Sequence, residues 1–398
     1  MPKLLIIADD LTGALDTGVK FSEAGLSTTV STRWQECPAD GAEVVVLCAD
    51  TRHLPSAEAY EVIRSIAEKN RDRFPLIMKK TDSGLRGNIG AELQAVMDGA
   101  QEIHLAFLPA LPEMRRVTRG GVQYIDGVPV SRSVFGRDPF DPVLDDDIPS
   151  LLRRQCSVAT QVVSRGAAED RLPQEGVPSI RIYDAETADD MRLSVSRVLE
   201  DGRTRLLAGC AGLAQALASE LSRKSAAGEG RDETAPLLTV CGSVNRISRQ
   251  QLDYAEKQGF ERYHLPMDYL LGETDSNAAA EAVIERCSSQ NPILVDTFSA
   301  DPPAEGSPEE LEERRRRISC RLGGLVKTIM DRGIRRRILI IGGDTLLALM
   351  NALGCPSITP AREVDEGVVL SVLDYNGRQY RIMSKSGGFG AEDLLTKL

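Results

Sequence analysis

Short apolar runs and longer amphipathic stretches alternate along this chain from its first residues to its last. Residues 3–8 and 43–48 are buried-type strand runs, 28–31 is a shorter β-type run, and residues 12–24 carry helical periodicity that ends at Gly25. That pattern predicts a strand–helix–strand opening. Ser56 is placed to cap a helix over 57–69, and strands over 75–79 and 103–108 flank a helical pattern at 89–97. Apolar strands separated by helices imply a parallel sheet covered on both faces. The rhythm changes at 120–133, where two short runs flank Asp126-Gly127, a hairpin signal, and then resumes with strands at 179–183 and 205–209 and a helix at 213–221.

Residues 223–236 are polar, contain Gly and Ala, and lack apolar periodicity, so they read as a linker. A chain of 398 residues exceeds the size at which one hydrophobic core stops growing, which makes two domains the default. The expected division is 1–230 and 237–398. Beyond the linker, strands are expected at 237–241, 293–295 and 338–341, with a hairpin-like pair at 368–373 and 379–383. The charged run at 308–317 pairs Glu310 with Arg314, Glu312 with Arg316 and Glu313 with Arg317 at i,i+4 spacing, beside an apolar stripe of Leu311, Ile318, Leu322 and Leu325. It reads as a solvated amphipathic helix. The fold class expected is therefore two α/β domains with largely parallel sheets and the active site in the interdomain cleft.

Composition narrows the partners. Hydrophobic residues make up 42% and charged residues 27%, no apolar run reaches the length needed to cross a bilayer, and Met1-Pro2-Lys3 leads straight into a strand. A cytoplasmic protein without a membrane partner is expected. A formal net charge of −11 argues against nucleic acid, whose backbone requires a basic surface. The eight cysteines show no C-x-x-C spacing and the three histidines, His53, His104 and His264, are scattered, so reduced thiols are expected and a zinc cluster is not. Oligomeric state is not legible, and a homo-oligomer is compatible with the sequence.

Two glycine-rich turns in the last fifth of the chain carry the clearest chemistry. An apolar strand runs into Ile341-Gly342-Gly343-Asp344-Thr345, and Lys385-Ser386-Gly387-Gly388-Phe389-Gly390 follows near the C-terminus. Residues without Cβ let backbone N–H groups converge on an anion. Helical patterns at 346–353 and 391–397 add favourable dipoles. Lys385 offers a mobile cation, and Asp344 with Thr345 could hold a metal and a phosphate oxygen. In the first half, polar residues gather where strands end: Asp9-Asp10, Asp50-Thr51-Arg52, and Lys79-Lys80-Thr81-Asp82-Ser83-Gly84 followed by Arg86-Gly87-Asn88. In a parallel sheet those ends share one edge, where ligand crevices form. Such a mixture suits a small polyhydroxylated acid. No G-x-x-x-x-G-K-[ST], G-x-S-x-G, H-E-x-x-H or intact G-x-G-x-x-G occurs.

The chain resembles the four-carbon acid sugar kinases, the group of 3-oxo-tetronate, D-threonate and D-erythronate kinases. The matching blocks run nearly its whole length: Ala8-Asp9-Asp10-Leu11-Thr12-Gly13-Ala14, Lys80-Thr81-Asp82-Ser83-Gly84-Leu85-Arg86-Gly87, Pro109 with Arg137-Asp138-Pro139-Phe140-Asp141-Pro142-Val143, Ala211-Gly212-Leu213-Ala214, Gly242-Ser243, Gly342-Gly343-Asp344-Thr345, and Lys385-Ser386-Gly387-Gly388-Phe389-Gly390. The resemblance implies an N-terminal sugar-acid domain, a C-terminal ATP domain, and phosphoryl transfer to a C4 hydroxyl. It puts Asp9, Asp10, Lys80, Asp82, Ser83, Arg86 and Gly87 at the substrate. It puts Ser243, Gly342, Gly343, Asp344, Thr345, Lys385, Gly387, Gly388 and Gly390 at the nucleotide, with ATP and Mg²⁺ as cofactors and Asp344 as the candidate metal ligand. The family continues Gly-Ser-x with Ser and a Thr three residues later, where this chain has Asn245 and Ser248. Asp82 is the first candidate for the base that accepts the hydroxyl proton and Asp10 the second, and Arg86 is expected to pair with the acid's carboxylate. Transfer between domains implies closure about residues 223–236. Two rival readings are another kinase with a Gly-Gly-Asp turn, of the NAD kinase or phosphofructokinase type, and a non-catalytic binding protein.

Overall fold

The computed structural model describes residues 2–38, 41–138, 141–166, 176–222, 235–274, 278–297 and 307–398. The linker expected at 223–236 lies outside the described residues apart from its last two positions, as do Pro139 and Phe140. The chain divides into two compact units, Met1–Ala227 and Gly228–Leu398.

In chain order the first unit comprises β1 (Leu4–Ala8), α1 (Leu11–Glu23), β2 (Thr28–Ser31), β3 (Val44–Cys48), α2 (Ser56–Asn70), β4 (Leu76–Lys80), α3 (Ile89–Ala100) and β5 (His104–Leu108). A small antiparallel sheet follows, β6 (Arg116–Arg119), β7 (Val122–Ile125) and β8 (Val128–Pro129), and then α4 (Ile148–Gln155), β9 (Ala159–Val163), β10 (Ser179–Tyr183), α5 (Ala188–Asp201), β11 (Leu206–Gly209) and α6 (Ala211–Leu221). The main sheet runs β2-β3-β1-β4-β11-β5-β10-β9 with every pairing parallel. Its central strands are buried along their length because helices cover both faces, which is why they read as unbroken apolar runs. From β1 the chain winds outward to β2 on one side, and from β3 it returns past β1 to β4 on the other. The loops after β1 and β4 therefore part at a topological switch point, the place where open α/β sheets form ligand crevices.

The second unit comprises β12 (Leu237–Cys241), α7 (Arg246–Lys257), β13 (Glu261–His264), α8 (Met267–Leu271), α9 (Ala278–Arg286), β14 (Ile293–Asp296), α10 (Pro308–Asp331), β15 (Arg337–Ile341), α11 (Gly343–Leu353), β16 (Ser357–Asp365), β17 (Val368–Tyr375), β18 (Arg378–Lys385) and α12 (Leu394–Lys397). Its order is β13-β14-β12-β15-β18-β17-β16, parallel from β13 to β18 and antiparallel from β18 to β16. A second switch point lies between β12 and β15, since β12 leads outward to β13 whereas α10 crosses back to β15. Leu237, Cys241, Leu339, Ile341 and Met383 form its core with Leu252, Leu394 and Leu395.

Several local expectations change. Ser56 is the first helical residue of α2, with Pro55 at the capping position. The helix expected at 391–397 shrinks to Leu394–Lys397, so the Lys385–Gly390 turn is not followed directly by a helix N-terminus. The Asp126-Gly127 hairpin is present, with φ of 51° and 80° at the two turn residues, both in the left-handed region that a tight primed turn requires. Among the described residues no helix is long and apolar enough to cross a membrane.

Candidate active site

In the first unit, three loops at the carboxyl ends of β1, β3 and β4 bring together the residues singled out by sequence. Asp10 caps α1: its Oδ1 accepts from Gly13 N at 3.2 Å and its Oδ2 from Thr12 Oγ1 at 2.7 Å. Arg52, after β3, spans both carboxylates, donating from Nε to Asp9 Oδ2 at 2.7 Å and from Nη1 and Nη2 to Asp10 at 3.0 and 2.7 Å. The Lys80 ammonium lies 3.5 Å from Asp9 Oδ1 and 3.6 Å from Asp10 Oδ1. A Cβ on Gly13 would fall 2.1 Å from Lys80 Nζ, so only glycine lets that cation approach the start of α1. Burial opposes the charge of Asp10, but Arg52 and Lys80 outweigh it and hold the carboxyl below its usual range.

Asp82 and Arg86 close the other side. Asp82 Oδ2 accepts from Gly84 N at 3.1 Å, Arg86 N at 3.2 Å and Arg86 Nε at 2.9 Å, while Oδ1 accepts from Arg86 Nη2 at 2.9 Å. Burial raises the Asp82 carboxyl, yet Arg86 and Arg52 more than offset this and keep it well below the ordinary carboxylate range. The remaining Arg86 nitrogen, Nη1, donates to Asp138 Oδ2 at 2.9 Å. Arg86 is thus engaged by two carboxylates of the protein, which weighs against its expected part as the fork for a substrate carboxylate. Ser83 is buried, and its hydroxyl accepts from Arg116; the Arg116 and Arg86 guanidinium groups each lie about 5 Å from the Phe135 ring, at 5.0 and 5.1 Å. Leu85 adopts φ of 65°, and Gly87, with φ of 82°, packs against Arg52. A buried leucine in the left-handed region costs on the order of 1 kcal/mol or more, a strain typical of loops shaped by function.

Sequence spacing nominates Asp82 and then Asp10 as the base. Both are poor ones here, since a carboxylate held well below its ordinary range binds a proton weakly and their oxygens already accept several hydrogen bonds. Asp9 is different: it is 3% exposed, and its Oδ1 is buried without a hydrogen-bond partner. Such an acceptor carries a desolvation cost that a ligand hydroxyl would relieve.

Beneath the loops lies a pair that sequence reasoning passed over. Lys79 and Glu92 are both buried, with Nζ 2.8 Å from Oε2, and Lys79 Nζ also donates to Lys80 O at 2.6 Å. Glu92 Oε1 accepts from Thr51 Oγ1 at 2.5 Å. Asn88, at the start of α3, donates to Leu54 O at 2.8 Å and Thr51 O at 3.3 Å. These bonds tie α3 to the loops after β3 and β4. The available signal was Glu92 itself, a lone carboxylate on the apolar face of its helix.

In the second unit the glycine turns meet a third loop at the β12/β15 switch point. Gly242 N donates to Ile341 O at 3.0 Å and Gly342 N to Lys385 O at 3.1 Å. A Cβ on Gly242 would sit 2.2 Å from Thr345 Oγ1, and one on Gly387 would sit 2.3 Å from Ser243 Oγ, whereas Gly388 meets only Asn245 Nδ2 at 3.6 Å. Gly342 has φ of 116°, Gly390 has φ of 84°, and Gly343 begins α11, so its N–H is among those a helix leaves without an internal partner. Asn245 caps α7 by accepting from Ile247 N at 2.9 Å, and Ser248 Oγ donates to Gly387 O at 2.8 Å. Both substitutions relative to the family pattern therefore still make hydrogen bonds. Gln251 Nε2 adds bonds to the carbonyls of Phe389, Gly390 and Ala391. It is α7, rather than a helix after the turn, that fastens the C-terminal loop.

Lys385 is held rather than mobile: it is fully buried, and Nζ donates to Ser386 O at 2.9 Å, because a buried ammonium must spend its donors on nearby carbonyls. Asp344 lies in the first turn of α11, half-exposed and 3.3 Å from Arg315 Nη1 of α10. Among the described residues no group of three or more His, Cys, Asp and Glu is arranged to hold a metal ion. A single carboxylate at the edge of an anion cradle suits Mg²⁺, which keeps several waters and shares phosphate oxygens with its substrate. Burial pushes the Cys241 thiol up to about 11, leaving it protonated at neutral pH.

Two family models divide the chain as the units do. Residues 4–217 match a sugar-binding N-terminal domain, and residues 238–395 match a nucleotide-binding C-terminal domain. The chain is 32% identical to a D-threonate kinase of Bordetella bronchiseptica, with 100% of this chain and 96% of the relative covered. The chain belongs to the four-carbon acid sugar kinase family. A D-threonate kinase of Salmonella typhimurium is 28% identical over 99% of this chain and 96% of its own length, and a 3-oxo-tetronate kinase of Methylobacterium radiotolerans is 29% identical over 98% and 96%. A crystal structure of a Salmonella typhimurium protein superposes with a TM-score of 0.78 at 22% identity, covering 100% of this chain and 98% of that one, and shares the fold. This member of the four-carbon acid sugar kinase family is accordingly a kinase, and its two glycine turns lie within the nucleotide-binding domain.

Proposed function

We propose that this kinase transfers the γ-phosphoryl group of ATP to the C4 hydroxyl of a four-carbon sugar acid, D-threonate, D-erythronate or 3-oxo-tetronate, in the cytoplasm. The observation that carries the reading is the meeting of Asp9, Asp10, Arg52, Lys80, Asp82 and Arg86 at the switch point of a unit that matches a sugar-binding domain. In this reading the N-terminal domain, 1–230, holds the acid and the C-terminal domain, 237–398, holds the nucleotide. Asp9 Oδ1 accepts from the reacting hydroxyl, while Asp10 and Asp82, held ionised by their arginines, fix the loops and the position of Lys80. Lys80 and Ser83, with Arg86 behind them and Gly87 shaping the turn, line the acid's seat.

Phosphoryl transfer asks mainly for positioning and charge neutralisation, so a weakly basic carboxylate that orients a hydroxyl suffices. On the donor side, Ser243, Gly342, Gly343, Thr345, Gly387, Gly388 and Gly390 form the phosphate cradle, with Lys385 contributing positive potential from beneath it. Mg²⁺, when bound, would neutralise phosphate charge, and Asp344 is the residue placed to hold it or its waters. No observation favours another Gly-Gly-Asp kinase or a non-catalytic binder, since neither accounts for the Lys80–Gly87 block. A coupled assay of ATP consumption over a panel of tetronic acids tests the proposal, and turnover with none of them would overturn it.

A further inference from the structure

At the carboxyl edge of the second sheet, one register row crosses five parallel strands. Lys385 is opposite Ile341, Ile341 opposite Cys241, Cys241 opposite Asp296, and Asp296 opposite His264. The first three positions lead into the cradle loops. The last two hold an aspartate–histidine pair that the proposed function leaves unused. Asp296 is 2% exposed, and its Oδ1 lies 2.5 Å from His264 Nδ1, while its Oδ2 accepts from Arg262 Nε and Nη2 at 3.0 and 2.6 Å. Arg262 also donates to Asp253 and Glu256 of α7, so the group lies on the sheet face that α7 covers, the helix whose first turn caps the Ser243 loop.

Arg262 already balances Asp296. The bond to His264 does something else: it fixes the ring with Nδ1 toward the carboxylate and leaves Nε2 at the surface, on a residue 45% exposed. Asp296 selects the tautomer that carries its proton on Nδ1, which makes Nε2 an acceptor. Two strand spacings, about 10 Å, separate His264 from Cys241 in the row. A nucleotide whose phosphates lie over the β12, β15 and β18 loops extends its nucleoside beyond them along this edge.

We propose that His264, oriented by Asp296, hydrogen-bonds the nucleoside part of the bound nucleotide, accepting from a ribose hydroxyl or the exocyclic amine. The inference rests on the nucleotide-binding reading of this domain and extends it to the nucleoside. His264→Ala should weaken ATP binding roughly five- to tenfold, the size of one net hydrogen bond, without changing affinity for inorganic tripolyphosphate or KM for the sugar acid. His264→Gln, whose amide reaches toward the Nε2 position, should recover part of the loss.

Calorimetric titration of wild type and both variants with ATP and with tripolyphosphate, each with Mg²⁺, reads this directly. The exposed position makes loss of fold an improbable cause, and a thermal melt of each variant checks it. Unchanged ATP affinity in folded His264→Ala, or an equal loss for tripolyphosphate, would overturn the proposal. Failure of the wild type to bind ATP at all would overturn the nucleotide reading beneath it.

Discussion

Asp9 and Asp10 are neighbours in sequence with opposite situations. Asp10 spends its oxygens on the α1 cap and on Arg52, whereas Asp9 keeps one buried oxygen without a hydrogen bond. Asp9→Asn is therefore expected to lower kcat by about 10²–10⁴ with a small change in KM, because the reacting hydroxyl loses its acceptor. Asp82→Asn should instead raise KM and destabilise the 82–87 loop, and Arg86→Lys should do the same through loss of the planar fork. Steady-state kinetics on the preferred acid separates these outcomes. If Asp82→Asn removed kcat while Asp9→Asn kept it, the base would be Asp82. The depressed Asp82 carboxyl also sets a pH dependence. A group whose folded value lies below its unfolded value, about 3.9, stabilises above that value and ceases to do so as pH falls through the folded one. The melting temperature of Asp82→Asn should thus lie below that of wild type at pH 7, and the gap should narrow as both are acidified below about pH 4.

Among the elements, the buried Lys79–Glu92 pair fastens α3 under the acid site. Lys79→Met should cost about 3–5 kcal/mol in chemical denaturation by stranding Glu92, and adding Glu92→Leu should restore much of it. The cradle makes a second prediction. Gly387→Ala places a methyl on Ser243 and should weaken ATP binding, while Gly388→Ala, with open space, should leave the fold unchanged; calorimetry and a thermal melt check both.

Elements with a strong apolar signature were legible in the sequence. The strands at 28–31, 179–183 and 237–241 lie where the pattern put them, because central parallel strands are buried on both faces. Polar helices were not. α7 escaped notice because it is mostly hydrophilic, yet through Ser248 and Gln251 it anchors the C-terminal turn. At the site, the gathering of Asp9, Asp10, Lys80 and Asp82 followed from strand ends sharing an edge. The partners of each charge did not, since Arg52 reaches Asp9 across 43 residues of chain and Arg86 reaches Asp138 across 52.

For the molecule as a whole, a net charge of −11 and an anionic pair of substrates are reconciled by local cations: Arg52, Lys80 and Arg86 in one unit and the backbone N–H groups of the glycine turns in the other. With acid and nucleotide held by different units, productive transfer requires both ligands, and hydrolysis of ATP without acid is expected to be slow. The central claim is that this chain phosphorylates a four-carbon sugar acid at its terminal hydroxyl. Its most direct test incubates the purified protein with ATP, Mg²⁺ and each of D-threonate, D-erythronate, L-threonate and 3-oxo-tetronate, following ADP release and the phosphorus NMR spectrum of the product. The account predicts acid-dependent ADP release with at least one of them and a phosphate ester on C4. ADP release that is the same with and without every acid, from folded protein that binds ATP, would contradict it.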